Sequence, residues 1–160
     1  MNRLHARVRS EQGAELIEFA LVLPILLLVV LGIVDFGFVF QRLEIVTNAA
    51  REGARLAVLQ GYNTSDAQWR AWNYIGDSGL PRTGTDPTVA NSTNPAITVS
   101  PATTVNLPGG GTIQTKQVAV VYTSTYLFIG PIMRIFGGNL TTVPIRGTAT
   151  MRLESGAAGS

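Results

Sequence analysis

The apolar residues of this chain are concentrated in one segment near the N-terminus. Between residues 19 and 40 the only charged residue is Asp35, and the run includes Pro24 and Gly32. A helix of about 20 residues is about 30 Å long, which matches the hydrocarbon thickness of a bilayer. Pro and Gly are tolerated in helices that cross membranes. The pattern therefore predicts one membrane-spanning helix.

The helical pattern continues beyond the apolar run. Between residues 41 and 60, polar residues recur every three or four positions opposite a stripe of small and apolar residues. The polar stripe consists of Glu44, Asn48, Arg51 and Arg55, and the opposite stripe consists of Val46, Ala50, Gly53 and Ala57. We predict one continuous helix over residues 14–60, about 70 Å long, that ends before Gly61.

A row of small residues follows one side of this helix at intervals of four. It consists of Ala49, Gly53 and Ala57. Small side chains at this spacing let another backbone approach closely. The row is expected to pack either against the part of the chain that follows the helix or against a partner.

The sequence after residue 60 predicts a small domain with an antiparallel sheet. A short helix is expected over residues 67–75, capped by Ser65 and Asp66, and a long loop over residues 77–95. Segments 97–106, 114–126 and 142–153 are rich in Val, Ile, Thr and Tyr, and residues 108–111 form a hairpin turn between the first two. Alternate residues of the last segment are apolar or small, so one face of the sheet suits the long helix. The expected fold class is α+β, with the long helix packed on a small antiparallel β-sheet domain.

Two features of the outer domain leave a choice open. Trp69 and Trp72 lie one helical turn apart, and they either pack in the core or form a surface that binds a partner. Residues 127–136 are strongly apolar, but Gly130 and Pro131 interrupt them and they are too few to span a membrane. This segment either lies under the sheet or lies on the outer leaflet or a partner.

The composition argues against most enzymes. The 160 residues are 46% hydrophobic and 14% charged, with no Cys and one His, which is His5. Disulfides and thiolate metal sites are therefore excluded, and a Ser-His-Asp triad is disfavoured. Asp77 and Asp86 are weak candidates for Ca²⁺, because no EF-hand pattern surrounds them. We predict no catalytic residue, no metal and no cofactor.

The charge is carried by the N-terminus. Arg3, Arg7, Arg9 and Glu11 account for the whole formal net charge of +2. The rest of the chain is neutral, so nucleic acid is not an expected partner. Basic residues before a membrane span stay in the cytoplasm, so the outer domain is predicted to be extracytoplasmic.

The junction between the basic segment and the apolar run carries Gly13 and Ala14, followed by Glu18 and Phe19. It resembles a type IV prepilin processing site. The resemblance implies that a prepilin peptidase cuts after Gly13 and leaves Glu18 as the fifth mature residue. The amine of a neighbouring subunit would then pair with Glu18 and set the helix register. In the alternative, Glu18 only complements the dipole at a helix N-terminus.

Three further segments make the resemblance narrower. Residues 18–24 (EFALVLP), 32–37 (GIVDFG) and 48–55 (NAAREGAR) look like the TadE-like family of pseudopilins. The resemblance covers about residues 13–57. It implies a non-enzymatic minor component of a tight-adherence, Flp-type pilus that primes, caps or regulates the filament. The implied partners are a prepilin peptidase, other pilins and pseudopilins, pilus assembly platform proteins and membrane lipid.

This interpretation divides the chain into three parts: a basic leader over residues 1–13, the TadE-like helix over 14–60, and the extracytoplasmic domain over 61–160. The location would be the cytoplasmic membrane, crossed once. The alternative is a membrane-anchored extracytoplasmic binding module that keeps its leader, with the two Trp residues or segment 127–136 as its contact surface. An anchored enzyme is a third and weaker hypothesis.

Overall fold

The structure is a computed structural model that describes residues 2–89 and 93–153, with side chains from residue 13 onward. The side chains of the basic leader and the end of the chain after Leu153 lie outside these described residues. The elements are α1 (Asn2–Ala57), α2 (Thr64–Asp77), β1 (Ala96–Val99), β2 (Thr103–Asn106), β3 (Thr112–Thr125), α3 (Ile129–Ile135) and β4 (Thr142–Arg152). The predicted α+β class is confirmed.

Helix α1 is a single element of 56 residues. Among the described residues, it is the one helix that is long and apolar enough to cross a membrane. It ends at Ala57, three residues before the predicted end, and the chain turns at Gly61 with a φ of 84°. Its first half has no neighbours in the fold, and its second half packs on the outer domain.

Strand β3 is the centre of a four-stranded antiparallel sheet. Strand β4 pairs with it along one edge, from Thr115↔Arg152 to Thr125↔Thr142. Strands β1 and β2 share the other edge and pair with its C-terminal and N-terminal halves, respectively. The register therefore places β2 at the end of the sheet that is opposite to the start of α3.

The single strand predicted over residues 97–106 is wrong, because the segment forms two strands. Pro101 separates them and lacks the N–H that a continuous ladder needs. Ser100 keeps the break short: its N–H donates to the carbonyl of Gln117 at 2.8 Å, and its hydroxyl accepts from the N–H of Gln117 at 2.9 Å.

The start of α2 also differs from the prediction. The helix begins at Thr64, and its cap is Asn63 rather than Ser65 or Asp66. The side chain of Asn63 accepts from the N–H of Asp66 at 3.0 Å, and the carboxylate of Asp66 accepts from the N–H of Asn63 at 2.8 Å. This reciprocal capping box satisfies two donors that the helix itself leaves free.

The predicted hairpin turn over residues 108–111 is confirmed between β2 and β3. Leu107 and Gly111 close it with a backbone hydrogen bond of 3.0 Å. Gly110 and Gly111 have φ values of 84° and 94°, a region that favours glycine.

The core lies between the second half of α1, α2 and one face of the sheet. The apolar stripe predicted for α1 is buried, and the inward alternation predicted for β4 is confirmed, with Ile145 and Leu153 buried and the intervening Arg146 and Thr148 exposed. The other main core residues are Val46, Ala50, Ala54, Ala67, Ala71, Ile75, Val118 and Val120. Most of the helical contributors are alanines, so the helix backbones lie close to the sheet.

Gly147 on β4 is the closest point of this contact. A Cβ atom at this position would lie 2.7 Å from the carbonyl oxygen of Val46 and 2.8 Å from the Cα of Thr47. Both are backbone atoms of α1, so a rotamer change cannot relieve the clash. The helix can cover the sheet at this distance only because residue 147 has no side chain.

We therefore expect Gly147→Ala to separate α1 from β4 and to lower the free energy of unfolding of the outer domain by about 1 to 3 kcal/mol. Denaturant unfolding of the full chain in detergent measures the change. Thr148→Ala is the matched control, because the neighbouring side chain is exposed. Equal stabilities for the two variants would contradict the close contact.

Candidate functional site

The first half of α1 carries the residues of the predicted processing junction. Gly13 and Ala14 lie within the continuous helix, and the side chains of Glu18 and Phe19 are exposed. No hydrogen bond or ion pair engages Glu18 within the described part of the chain. The fold therefore leaves a carboxylate without a partner on a helix face that is otherwise apolar.

Asp35 is the one acid within the apolar run, and its environment is the opposite of that of Glu18. Its carboxylate accepts three backbone hydrogen bonds, from the N–H groups of Leu127 at 2.9 Å, Phe128 at 3.0 Å and Ile129 at 2.7 Å. The side chain is 1% exposed. This contact connects the membrane-type segment of α1 to the start of α3, more than 90 residues later in the chain.

The local sequence explains why these donors are available. The first N–H groups of a helix have no acceptor within the helix. In α3, Pro131 has no N–H to satisfy, and the N–H of Ile132 already reaches the carbonyl of Phe128 at 3.3 Å. The N–H groups of residues 127–129 come before these two residues, and the carboxylate of Asp35 is their acceptor. The carboxylate and the backbone segment thus satisfy each other where little water is available.

Arg42 makes a second connection two turns further along α1. Its guanidinium donates to the hydroxyl of Ser124 and to the carbonyl of Thr125, the latter at 3.0 Å. The same group lies 5.9 Å from the centre of the Phe38 ring. Asp35 and Arg42 therefore hold α1 to the end of β3 and to the start of α3, which are contiguous in sequence.

The row of small residues on α1 packs within the chain. Ala49, Gly53 and Ala57 are buried. A Cβ atom at Gly53 would lie 3.1 Å from the carbonyl oxygen of Ala67 on α2 and 3.3 Å from a methyl group of Val118 on β3. The chain's own domain therefore occupies this side of the helix.

The two tryptophans do not form an exposed pair. Trp72 is buried, with the guanidinium of Arg82 at 5.2 Å from its ring centre and a hydrogen bond from Arg82 to its carbonyl. Trp69 is 40% exposed. Only Trp69 is open to a partner in this structure.

Segment 127–136 does not lie under the sheet, so the first of its two predicted alternatives is wrong. It forms the turn and helix α3, which begin beside α1 at Asp35. Gly130 is buried, whereas Ile135 and Phe136 are about four-fifths exposed. The start of α3 thus lies beside α1, and its other end presents an exposed apolar surface.

The acids considered for Ca²⁺ have other roles. Asp86 accepts from the N–H of Thr88 at 2.8 Å and from its hydroxyl at 2.6 Å, and these hydrogen bonds lower the pKa of Asp86. Asp77 is the last residue of α2 and is exposed. Within residues 13–89 and 93–153, no group of three or more potential ligand side chains is arranged to hold a metal ion.

The functions of Asp35 and Arg42 were not predicted from the sequence. The signal available was that Asp35 is the one charge in an apolar run of 22 residues. A charge at such a position requires a partner. Nothing local identifies that partner, because it is a backbone segment brought in by the fold.

A helix that is apolar and free over its first half, and packed on a small antiparallel sheet over its second half, defines a single-pass membrane-anchored α+β protein. Residues 13–55 match the model of the family described as TadE-like protein, which confirms the resemblance over this segment. The match indicates a pilus-associated protein with an N-terminal membrane helix. Searches of curated proteins and of solved structures gave no match. The family match ends before α2, so it does not include the outer domain.

Asp35→Ala is expected to leave three backbone donors without an acceptor and to release α3 from α1. Hydrogen bonds to a charged group contribute about 1.5 to 3 kcal/mol each, so the docking of α3 should weaken by at least about 2 kcal/mol. Amide hydrogen exchange of residues 127–129, measured by mass spectrometry in micelles, should accelerate. Asp35→Asn retains one acceptor oxygen and should show a smaller effect. Unchanged exchange in Asp35→Ala would contradict the role assigned to this carboxylate.

Proposed function

We propose that this protein is a minor pseudopilin of a tight-adherence pilus system. It is made as a precursor in the cytoplasmic membrane, cut after Gly13 by a prepilin peptidase, and then primes, caps or regulates the filament. The observation that carries this proposal is Glu18, an exposed acid without a partner, five positions after Gly13 on an apolar helix. It requires a partner that the described chain does not supply.

Charge balance supports an intermolecular partner. Cleavage after Gly13 creates an α-amine at Ala14 that is cationic below about pH 8. A charged side chain costs about 2.5 to 3.5 kcal/mol at the middle of a bilayer and less near its faces, where Glu18 lies. An amine from an adjacent helix would offset this cost and fix the axial position of the helices.

The helix at the junction is also suited to processing. A peptidase needs an extended peptide, and Gly is less favourable in a helix than Ala by about 0.5 to 1 kcal/mol. Gly13 has no atoms within 4 Å of the place where a Cβ would lie, so no packing requires glycine there. Recognition by the peptidase therefore explains a glycine at this position better than packing does.

The orientation and the partners follow from the same proposal. The basic leader stays in the cytoplasm, which places the outer domain outside. Because the small-residue row is occupied by the outer domain, the free face of α1 available to other pilins is the apolar first half. Platform proteins of the assembly machinery and neighbouring pseudopilins would contact this half.

Gly13→Val is expected to block cleavage, because a branched side chain adjoins the bond to be cut. Intact mass and N-terminal sequencing of the protein from native membranes should give a start at Ala14 for the unaltered chain and retention of the leader for the variant. Gly32→Val is the matched control in the same helix and should still be cut. Deletion of the peptidase should reproduce the variant. A retained leader in the unaltered chain would favour the membrane-anchored binding module instead.

Glu18→Gln is expected to leave membrane insertion unchanged and to reduce incorporation into pili at least tenfold, because it removes the charge that attracts the amine. Quantitative immunoblots of membrane and sheared-pilus fractions measure the two steps separately. Glu15→Gln is the control, since Glu15 is also an exposed acid on the same helix. Normal incorporation of the Glu18 variant would refute the amine partner.

A further inference from the structure

An exposed apolar surface surrounds α3. We call it the α3 patch and define it as Leu127, Ile135, Phe136 and Leu140. These side chains are exposed by 51%, 81%, 80% and 55%, respectively. Contiguous exposed apolar surfaces mark binding sites.

The start of this segment adjoins the membrane-type surface of α1, where the N–H of Leu127, a residue of the α3 patch, donates to Asp35. Ile129, the first residue of α3, lines an apolar groove of about 560 Å³ together with six residues of α1. These are Val29, Gly32, Ile33, Phe36, Gly37 and Phe40. The apolar surface of α1 therefore continues onto α3 without a polar boundary at their junction.

The position of Asp35 gives the depth of α3. Residues 19–40 form about 33 Å of helix, close to the thickness of a hydrocarbon core, and Asp35 lies about 7.5 Å along the axis before Phe40. Interfacial helices bury their apolar face about 5 to 10 Å into the boundary between headgroups and acyl chains. The start of α3 is therefore at the depth of such a helix.

The polar groups at this depth are satisfied. The carboxylate of Asp35 and the N–H groups of residues 127–129 bond to each other, so neither requires water. Between residues 127 and 145 the only charged residue is Arg134, which is exposed, and a long Arg side chain can extend to the headgroups. The segment thus has the composition and the internal hydrogen bonding that a lipid environment demands.

We propose that α3 and the α3 patch insert into the outer leaflet of the membrane as an interfacial element, held at a fixed depth by Asp35. The occupant of the patch is lipid, because the patch continues the surface by which α1 faces lipid. The outer domain is then held on the membrane surface by a second contact besides the spanning helix. This inference rests on the membrane insertion of α1 in the proposed function, but not on cleavage or filament assembly.

Single-cysteine labelling tests this proposal, because the chain has no Cys. The full chain is placed in nanodiscs of phosphatidylcholine and phosphatidylglycerol, one copy per disc, with a fluorescent NBD label at Phe136→Cys. Lipids that carry a doxyl quencher near the headgroup should reduce its emission at least twofold. Thr104→Cys is the control, because Thr104 pairs with Gln114, 11 residues of β3 from its membrane-proximal end and about 37 Å away.

A label at Leu26→Cys, about 5 Å from the middle of the apolar run and read with lipids that carry the doxyl group deep in the acyl chain, separates the possible failures. Quenching at Leu26 with no more quenching at Phe136 than at Thr104 would show that α1 is inserted while the α3 patch faces water, which overturns this inference alone. No quenching at Leu26 would overturn membrane insertion, and the proposed function with it. Protection of Phe136 that needs two copies per disc and shows no lipid quenching would identify a protein partner, which also overturns the lipid assignment.

Discussion

The carboxylate of Asp35 joins the two halves of this molecule. It lies in the apolar run of α1, and its partners are three N–H groups at the start of α3. A buried carboxylate is stable only where hydrogen bonds replace water, and free backbone donors beside an apolar helix have the same requirement. Each side of the contact therefore depends on the other. The end of β3, the position of α3 and the angle at which α1 leaves the domain are all linked to it.

Close packing makes this connection rigid further along the helix. Gly147 lets the backbone of α1 approach β4, and Gly53 gives α2 and β3 similar access to the other side. Arg42, which lies between Asp35 and these packed layers along α1, adds a polar contact to the end of β3. The second half of α1 is therefore held to α2 and to the sheet at several points along its length.

Local patterns in the sequence predicted the elements of this fold, but they did not predict their long-range contacts. The continuity of α1, the inward face of β4 and the turn over residues 108–111 depend on neighbouring residues, and these predictions are confirmed. The bounds of α1 differ from the prediction, because the helix begins at Asn2 rather than residue 14 and ends at Ala57 rather than residue 60. The predicted cap of α2 is wrong because residues 63–66 are all of types that cap helices. Which of them is the cap depends on where the helix begins, and the sequence pattern does not fix that residue. The break at Pro101 was missed because the residues on both sides favour strands. The partner of Asp35 could not be found, because its three donors are backbone groups that carry no residue signature.

Glu18, just before the apolar run, and Asp35, within it, differ in how the chain compensates their charge. Glu18 and Asp35 are 17 residues apart, which corresponds to about 26 Å of helix, so they lie near opposite faces of a bilayer. Asp35 is satisfied within the chain, whereas Glu18 is exposed and has no partner among the described residues. Both carry a similar desolvation penalty in lipid, so the difference lies in where the compensation comes from. An acid that is compensated internally fixes the fold of its own subunit. An acid that is left uncompensated costs free energy in the membrane until it meets a cation, and in the proposed function the amine of a neighbouring chain is that cation.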